Sequence, residues 1–173
     1  MPQFRLTQKY AKDCRVEKLV EPNPMTHLLD DWFIDVIRIQ RKKVAMVVHA
    51  KSLFTFLLPY AEIGCAVNVP ACIGVLLQEF LQKNDLMGRH EQVIKLFRGP
   101  MVFCKTNDRR VLGHMNDFRR YVESFLEHQE RPTYPINLRQ LAKEINQIPI
   151  NFGAAGYAEP LEQFLRILGD LSE

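Results

Sequence analysis

The side chains best suited to bind a ligand are concentrated in one short stretch of the chain, residues 105–120. This stretch holds five basic and two acidic residues, so its surplus of positive charge equals the formal net charge of +3 of the whole chain. Clustered cations beside the start of a helix are typical of sites that hold phosphate groups. We expect ligand contacts from Lys105, Thr106, Asn107, Arg109, Arg110 and His114.

Apolar residues on both sides of the polar stretch predict the elements that position it. Residues 101–103 follow a Gly-Pro break and are typical of a short buried strand. From Met115 onward the apolar residues recur with the period of a helix. Gly113 is expected to take a positive φ before that helix, and Asp117 is expected in its first turn, where a negative charge suits the helix dipole. With Asn116, these residues form the expected scaffold.

The same stretch also has a purely structural interpretation. Asn107, Asp108 and Gly113 are ordinary turn and capping residues. Arg119 and Arg120 are typical of a solvated helix face. On this interpretation, Asn107 and Asp117 hydrogen-bond to backbone amides of the turn and the helix start. Both interpretations remain open from the sequence.

Composition limits the class of protein. A chain of 173 residues with 47% hydrophobic and 25% charged residues is typical of one globular domain. No apolar run approaches the length of a membrane span, and residues 1–13 lack the apolar core of a signal peptide. We therefore expect a cytoplasmic protein without a membrane partner. The four cysteines and five histidines show no metal-ligand spacing, so neither a metal nor a cofactor is expected.

The wider pattern predicts an α+β fold with a small, mainly antiparallel sheet, packed helices and a helical C-terminal tail. Trp32 opens a predicted β-hairpin, residues 32–48, and is expected to be buried there. Helical patterns cover residues 68–83 and 91–98. We expect one domain over residues 1–173, made of an α+β body (1–130) and a helical tail packed on it (131–173).

The polar stretch carries a K-T-N-x-R-x-V-L-G-x-M-N-D-F block. With Asp31-Trp32-Phe33, the hairpin that follows and a late Ile-Pro…Gly-Tyr…Pro-Leu-Glu pattern, this block resembles an uncharacterised family of small bacterial proteins, a domain of unknown function. Two positions depart from that pattern: His114 stands where the family often has Ser, and Asp35 stands where Asn is common. The resemblance implies a fold and no reaction.

Three function classes are compatible with these residues. The leading hypothesis is a binding module for nucleic acid or another phosphate-bearing ligand, through the basic stretch 105–120. The first alternative is a small enzyme acting on a phosphorylated substrate, with His114 or Asp117 as acid or base. The second is a protein-interaction module in which the polar stretch only stabilises the fold. Whether the protein is an enzyme is left open by the sequence.

Overall fold

A mixed five-stranded sheet with helices on both faces forms the body of the protein. The computed structural model describes residues 1–25, 27–64, 68–128 and 135–171. Within those ranges the strands are β1 Gln3–Leu6, β2 Asp31–Ile39, β3 Lys42–His49, β4 Thr55–Pro59, β5 Val102–Lys105, β6 Ile150–Asn151 and β7 Tyr157–Ala158. The helices are α1 Gln8–Asp13, α2 Tyr60–Ile63, α3 Val69–Lys83, α4 His90–Arg98, α5 Arg109–His128, α6 Leu138–Asn146 and α7 Pro160–Asp170. The predicted α+β class is confirmed.

The strand order of the large sheet is β4-β3-β2-β1-β5. The pairs β2–β3 and β3–β4 are antiparallel, whereas β1 runs parallel to both of its neighbours, β2 and β5. The sheet is therefore mixed, with an antiparallel half that corresponds to the predicted hairpin. A separate two-stranded ribbon pairs β6 with β7.

The β2–β3 hairpin forms without a glycine in its turn. Gln40 and Arg41 take positive φ angles of 48° and 66°, which is the geometry of a two-residue turn that follows the twist of the strands. The Gln40 side chain also accepts a hydrogen bond from the backbone N–H of Ile136, which ties the turn to the residues before α6. Residues with long side chains can occupy this strained turn, because the paired strands on both sides hold its backbone in place.

The two faces of the sheet bury different residues, because successive side chains of a strand point to opposite sides. The first face, here called the Trp32 face, packs Trp32 and Ile34 against α1, α3, α4 and α7. The second, the Phe33 face, packs Phe33 and Ile37 against α5 and α6. Trp32 is fully buried, as predicted, and its indole N–H donates to the carbonyl of Leu29 at 2.8 Å.

The C-terminal helices contribute to both cores. Leu141 and Ile145 of α6 are buried on the Phe33 face, and Phe164 and Leu168 of α7 are buried on the Trp32 face. The predicted boundary near residue 130 lies outside the described residues. Of the helices in the described ranges, none is both long and apolar enough to span a lipid bilayer.

Candidate functional site

The polar stretch lies where two neighbouring parallel strands, β1 and β5, reach their carboxyl ends. The helix that follows β1, α1, packs on the Trp32 face, and the helix that follows β5, α5, packs on the Phe33 face. After these two adjacent strands, the chain therefore passes to opposite faces of the sheet. In open α/β sheets, ligands bind preferentially at such a point.

Helix α5 begins at Arg109, six residues earlier than the sequence pattern predicts. Asp108 explains the early start, because its Oδ1 accepts hydrogen bonds from the backbone N–H groups of Arg110 (2.9 Å) and Val111 (3.2 Å). The prediction that Asp117 lies in the first turn is wrong: it lies in the third turn, exposed, with an Oδ1 3.7 Å from Arg120. The predicted positive φ of Gly113 is also wrong, because this residue lies inside the helix.

Asn107 stabilises a different contact from the expected one. Its side-chain oxygen accepts a hydrogen bond from Nη1 of Arg5 on β1, and not from a backbone amide. The same guanidinium binds Asp31 through two parallel hydrogen bonds, Nε to Oδ1 at 2.7 Å and Nη2 to Oδ2 at 2.5 Å. It also lies 5.1 Å from the centre of the Phe33 ring. Arg5 therefore joins β1, β2 and the loop before α5.

The Arg5–Asp31 pair is removed from water, with side-chain exposures of 14% and 4%. Burial raises the pKa of Asp31, and the hydrogen bonds and charge of Arg5 oppose that rise. A bidentate pair of this kind fixes the orientation of both partners. We assign this pair and Asn107 to the scaffold that holds the start of α5.

A second ion pair, partly buried, lies further along the same face, and the sequence did not reveal it. Asp35 of β2 accepts hydrogen bonds from Thr7, the N-cap of α1, at 2.7 Å and from Nη2 of Arg119. Asn116 accepts from the same guanidinium at 3.3 Å. The expectation that Arg119 is solvated is therefore wrong. Its Nε is buried without a hydrogen-bond partner among the described residues. Asp31 and Asp35 flank Phe33 at a spacing of two, which is the signal that could have marked this face.

The six candidate ligand residues do not converge on a single surface. Lys105 pairs in register with Leu6, so its side chain leaves on the Trp32 face, where it meets Glu21 at 2.5 Å. Asn107 reaches Arg5 on the opposite face, and Thr106 between them is half-buried. Only the residues on α5, namely Arg109, Arg110 and His114, share one region.

The charges of the basic stretch are partly neutralised by partners. Lys105 pairs with Glu21, and Arg119 pairs with Asp35, both of which lie outside residues 105–120. Arg110 is exposed, donates through Nη2 to the carbonyl of Ala50 at 2.9 Å, and takes part in no described ion pair. Arg109 is exposed and has no described partner. The accessible positive charge is thus concentrated in the first turn of α5.

His114 lies one turn beyond Arg110 and is half-buried. Burial, together with the nearby positive charge of Arg110, lowers the pKa of His114 below its ordinary value, against a smaller opposing effect of Asp117. The imidazole is therefore neutral at pH 7 and able both to donate and to accept one hydrogen bond. Among the described residues, no group of three His, Cys, Asp or Glu side chains is placed to hold a metal ion.

Gly113 leaves a bare patch of helix beside these residues. It is exposed, and a Cβ added to it would meet nothing within 4 Å. Neither backbone conformation nor packing therefore requires a glycine here. A glycine inside a helix lowers helix stability by about 1 kcal/mol relative to alanine. On a helix surface, it gives a ligand close access to the backbone between Arg109 and Asp117, each four residues away.

A family model described as Domain of unknown function (DUF6933) matches residues 3–163. The match spans β1 to α7 and includes every residue of the site. The resemblance to an uncharacterised family that the sequence pattern indicated is confirmed. A comparison with curated proteins finds no match.

Proposed function

We propose that this chain, which belongs to the family described as Domain of unknown function (DUF6933), binds a phosphate-bearing ligand on the exposed side of the first two turns of α5. Arg109 and Arg110 supply the positive charge, and His114 supplies a neutral hydrogen-bonding group. The cytoplasmic location expected from the sequence is part of this proposal.

The observation that carries the proposal is the open glycine beside two accessible arginines. Gly113 lowers the stability of α5 without a packing or conformational reason, and it lies one turn beyond Arg109. A bound ligand supplies the reason, because it requires the space that a side chain would occupy. The position of α5 after the carboxyl end of β5, where chain direction diverges, supports the same place on the molecule.

The ligand is held by side chains and not by the amides of the helix start. Asp108 already occupies the N–H groups of Arg110 and Val111, and its negative charge lies at the positive end of the helix dipole. Guanidinium groups bind phosphate oxygens in pairs of parallel hydrogen bonds, and these bonds replace the two amide donors that Asp108 occupies. Two accessible arginines suit one or two phosphate groups better than an extended polyanion, whose binding requires many contacts.

Binding of inorganic pyrophosphate, measured by calorimetry, tests this proposal. We expect the double variant R109A/R110A to bind at least tenfold more weakly with little change in melting temperature, because exposed cations contribute little to stability. The matched control is K12A/K18A, which removes the same charge from two exposed lysines elsewhere. Equal losses in the two double variants would show a general electrostatic effect and contradict a site on α5.

Two further variants separate the site from its scaffold. G113A is expected to raise the free energy of unfolding by about 1 kcal/mol while weakening pyrophosphate binding. Stabilisation with unchanged affinity would contradict contact with the ligand. Conversely, N107A is expected to lower stability, because the guanidinium of Arg5, whose side chain is only 14% exposed, loses an acceptor. A single-stranded oligonucleotide measured in the same assay distinguishes nucleic acid from a small phosphate ligand. If nucleic acid is the preferred ligand, the affinity for the oligonucleotide should fall steeply as the salt concentration rises.

A further inference from the structure

The two edge strands of the large sheet differ in whether a further segment of the chain pairs with them. On the β5 edge, the segment before β2 covers the outer strand: the N–H of Val20 donates to the carbonyl of Phe103 at 3.0 Å, and the N–H of Lys105 donates to the carbonyl of Val20 at 2.9 Å. On the opposite edge, β4 is the last described strand. Open strand edges are places where a further strand can pair.

Alternate residues of β4 present their backbone groups outward, away from β3. The N–H of His49 donates to the carbonyl of Phe54, which fixes this alternation. The outward groups of Thr55 are both satisfied by the amide of Asn146: its Oδ1 accepts from the N–H of Thr55 at 2.7 Å, and its Nδ2 donates to the carbonyl at 2.9 Å. This buried side chain therefore imitates one residue of a neighbouring strand.

The next outward position on β4 is Leu57, two residues further on. Its N–H and carbonyl point away from β3, and no hydrogen bond to either is described. The residue is 7% exposed and lines two adjoining cavities of about 380 and about 500 Å³. These volumes fall within the range of about 300–1,000 Å³ that is usual for binding pockets. The cavities together form a groove along β4, with α3 on one side and α6 on the other, here called the β4-edge groove.

The two sides of the β4-edge groove differ in chemistry. The α3 side combines the apolar Leu76 and Phe80 with the charged Glu79 and Lys83. The α6 side carries Arg139 and Lys143, one helical turn apart. In the larger cavity, the described lining includes three basic side chains and one acidic side chain, which are Lys83, Arg139, Lys143 and Glu79.

We propose that the β4-edge groove binds an extended acidic peptide, which adds to the sheet as a further strand and pairs with the backbone of Leu57. In a strand, side chains alternate between two faces, so apolar residues of the peptide face Leu76 and Phe80 of α3 while acidic residues face Arg139 and Lys143. A second copy of this chain does not fit, because its own β4 is flanked by the same two helices.

An exposed ion pair crosses the groove and modulates access to it. Arg139 on α6 lies 3.4 Å from Glu79 on α3, with side-chain exposures of 72% and 42%. An exposed pair of this kind contributes little stability, so an acidic residue of the peptide can replace Glu79 as the partner of Arg139. We expect E79Q to bind the peptide several-fold more tightly than the unmodified chain, since the competing carboxylate is gone.

The experiment uses a synthetic six-residue peptide in which aspartate alternates with valine, with backbone amide NMR of the full chain as the readout. We expect the amide of Leu57 to shift on binding and to become protected from hydrogen exchange. Two control peptides isolate the reasons for binding. One has the same composition with three valines followed by three aspartates, and the other has lysine in place of aspartate. Both are expected to bind at least tenfold more weakly.

Variants of the protein complete the test. R139Q/K143Q is expected to reduce the affinity for the alternating acidic peptide at least tenfold, whereas K12Q/K18Q, with the same loss of charge outside the groove, is expected to leave it unchanged. An unperturbed Leu57 amide at saturating peptide, or equal affinity for the acidic and lysine peptides, would overturn the proposal. So would equal losses in the two double variants. Neither Arg109 nor Arg110 lines the two cavities of the groove, so these outcomes can be distinguished from those of pyrophosphate binding.

Discussion

His49 makes the stability of this protein sensitive to mild acid. The ring is completely buried on the Trp32 face, 4.9 Å from the ring of Trp32 and 5.4 Å from that of Phe164. Its Nε2 lies 2.8 Å from the carbonyl of Leu28, which can only accept, so Nε2 carries the proton of the neutral ring. Its Nδ1 accepts from the hydroxyl of Ser52 at 2.8 Å. This arrangement satisfies both ring nitrogens in the neutral form, and protonation of Nδ1 would remove the acceptor of the Ser52 backbone N–H, 3.3 Å away.

The expected loss of stability follows from the pKa of His49 in the folded chain and its pKa in the unfolded chain. Burial is the main cause that lowers the pKa of His49 to about 4, with a smaller contribution from the charge of Lys51 and an opposing one from the Leu28 carbonyl; its ordinary value is 6.5. Because the unfolded chain takes up the proton first, stability is fully present above pH 6.5 and is lost as the pH falls towards 4. The loss reaches about 2 kcal/mol at pH 5 and about 3 kcal/mol near pH 4.

Urea unfolding between pH 7.5 and pH 5 measures this effect, with H49Q as the comparison. Glutamine cannot be protonated in this range, so the gap in stability between the two proteins should narrow by about 2 kcal/mol as the pH falls to 5. The comparison cancels the titration of other groups, including His114, whose lowered pKa acts in the same direction, and Asp31, whose raised pKa acts in the opposite direction. A constant gap across the range, or an NMR titration of His49 near pH 6.5, would refute the reasoning.

Three further predictions concern the scaffold. W32A should cost about 3–5 kcal/mol in urea unfolding, because the indole is fully buried and bonded to a carbonyl; near-normal stability would contradict that burial. R119A should cost about 3 kcal/mol, because it leaves the buried carboxylate of Asp35 without its cation. The control R120A, whose side chain is exposed, should stay within about 0.5 kcal/mol of the unmodified protein. Similar effects of the two variants would show that the Arg119 pair is solvated. Limited proteolysis should not release residues 131–173 as a folded fragment, since the buried faces of α6 and α7 need the sheet, and recovery of such a fragment would contradict the single-domain prediction.

Local sequence patterns were sufficient for the elements whose stability depends on neighbouring residues. The β2–β3 hairpin, helix α3 and helix α4 follow the periodicity that predicts them, because side-chain alternation and helical repeats are set within a few residues. The start of α5 was predicted too late. The helical repeat of apolar residues begins at Val111, but the polar residues around Val111 make this start difficult to recognise. The helix begins where the single capping residue, Asp108, binds its first amides.

Only the tertiary structure decided what the polar residues do. Strand β1 lies between β2 and β5, and β5 follows β1 by about one hundred residues, so no local pattern indicates this parallel pairing. That pairing places Lys105 on the Trp32 face, and it brings the loop after β5 close enough to β1 for Asn107 to reach Arg5 on the opposite face. The sequence by itself determined that cations cluster in this stretch. Which cations are neutralised by distant carboxylates and which stay accessible depends on contacts between residues far apart in the chain, and those contacts exist only once the sheet has formed.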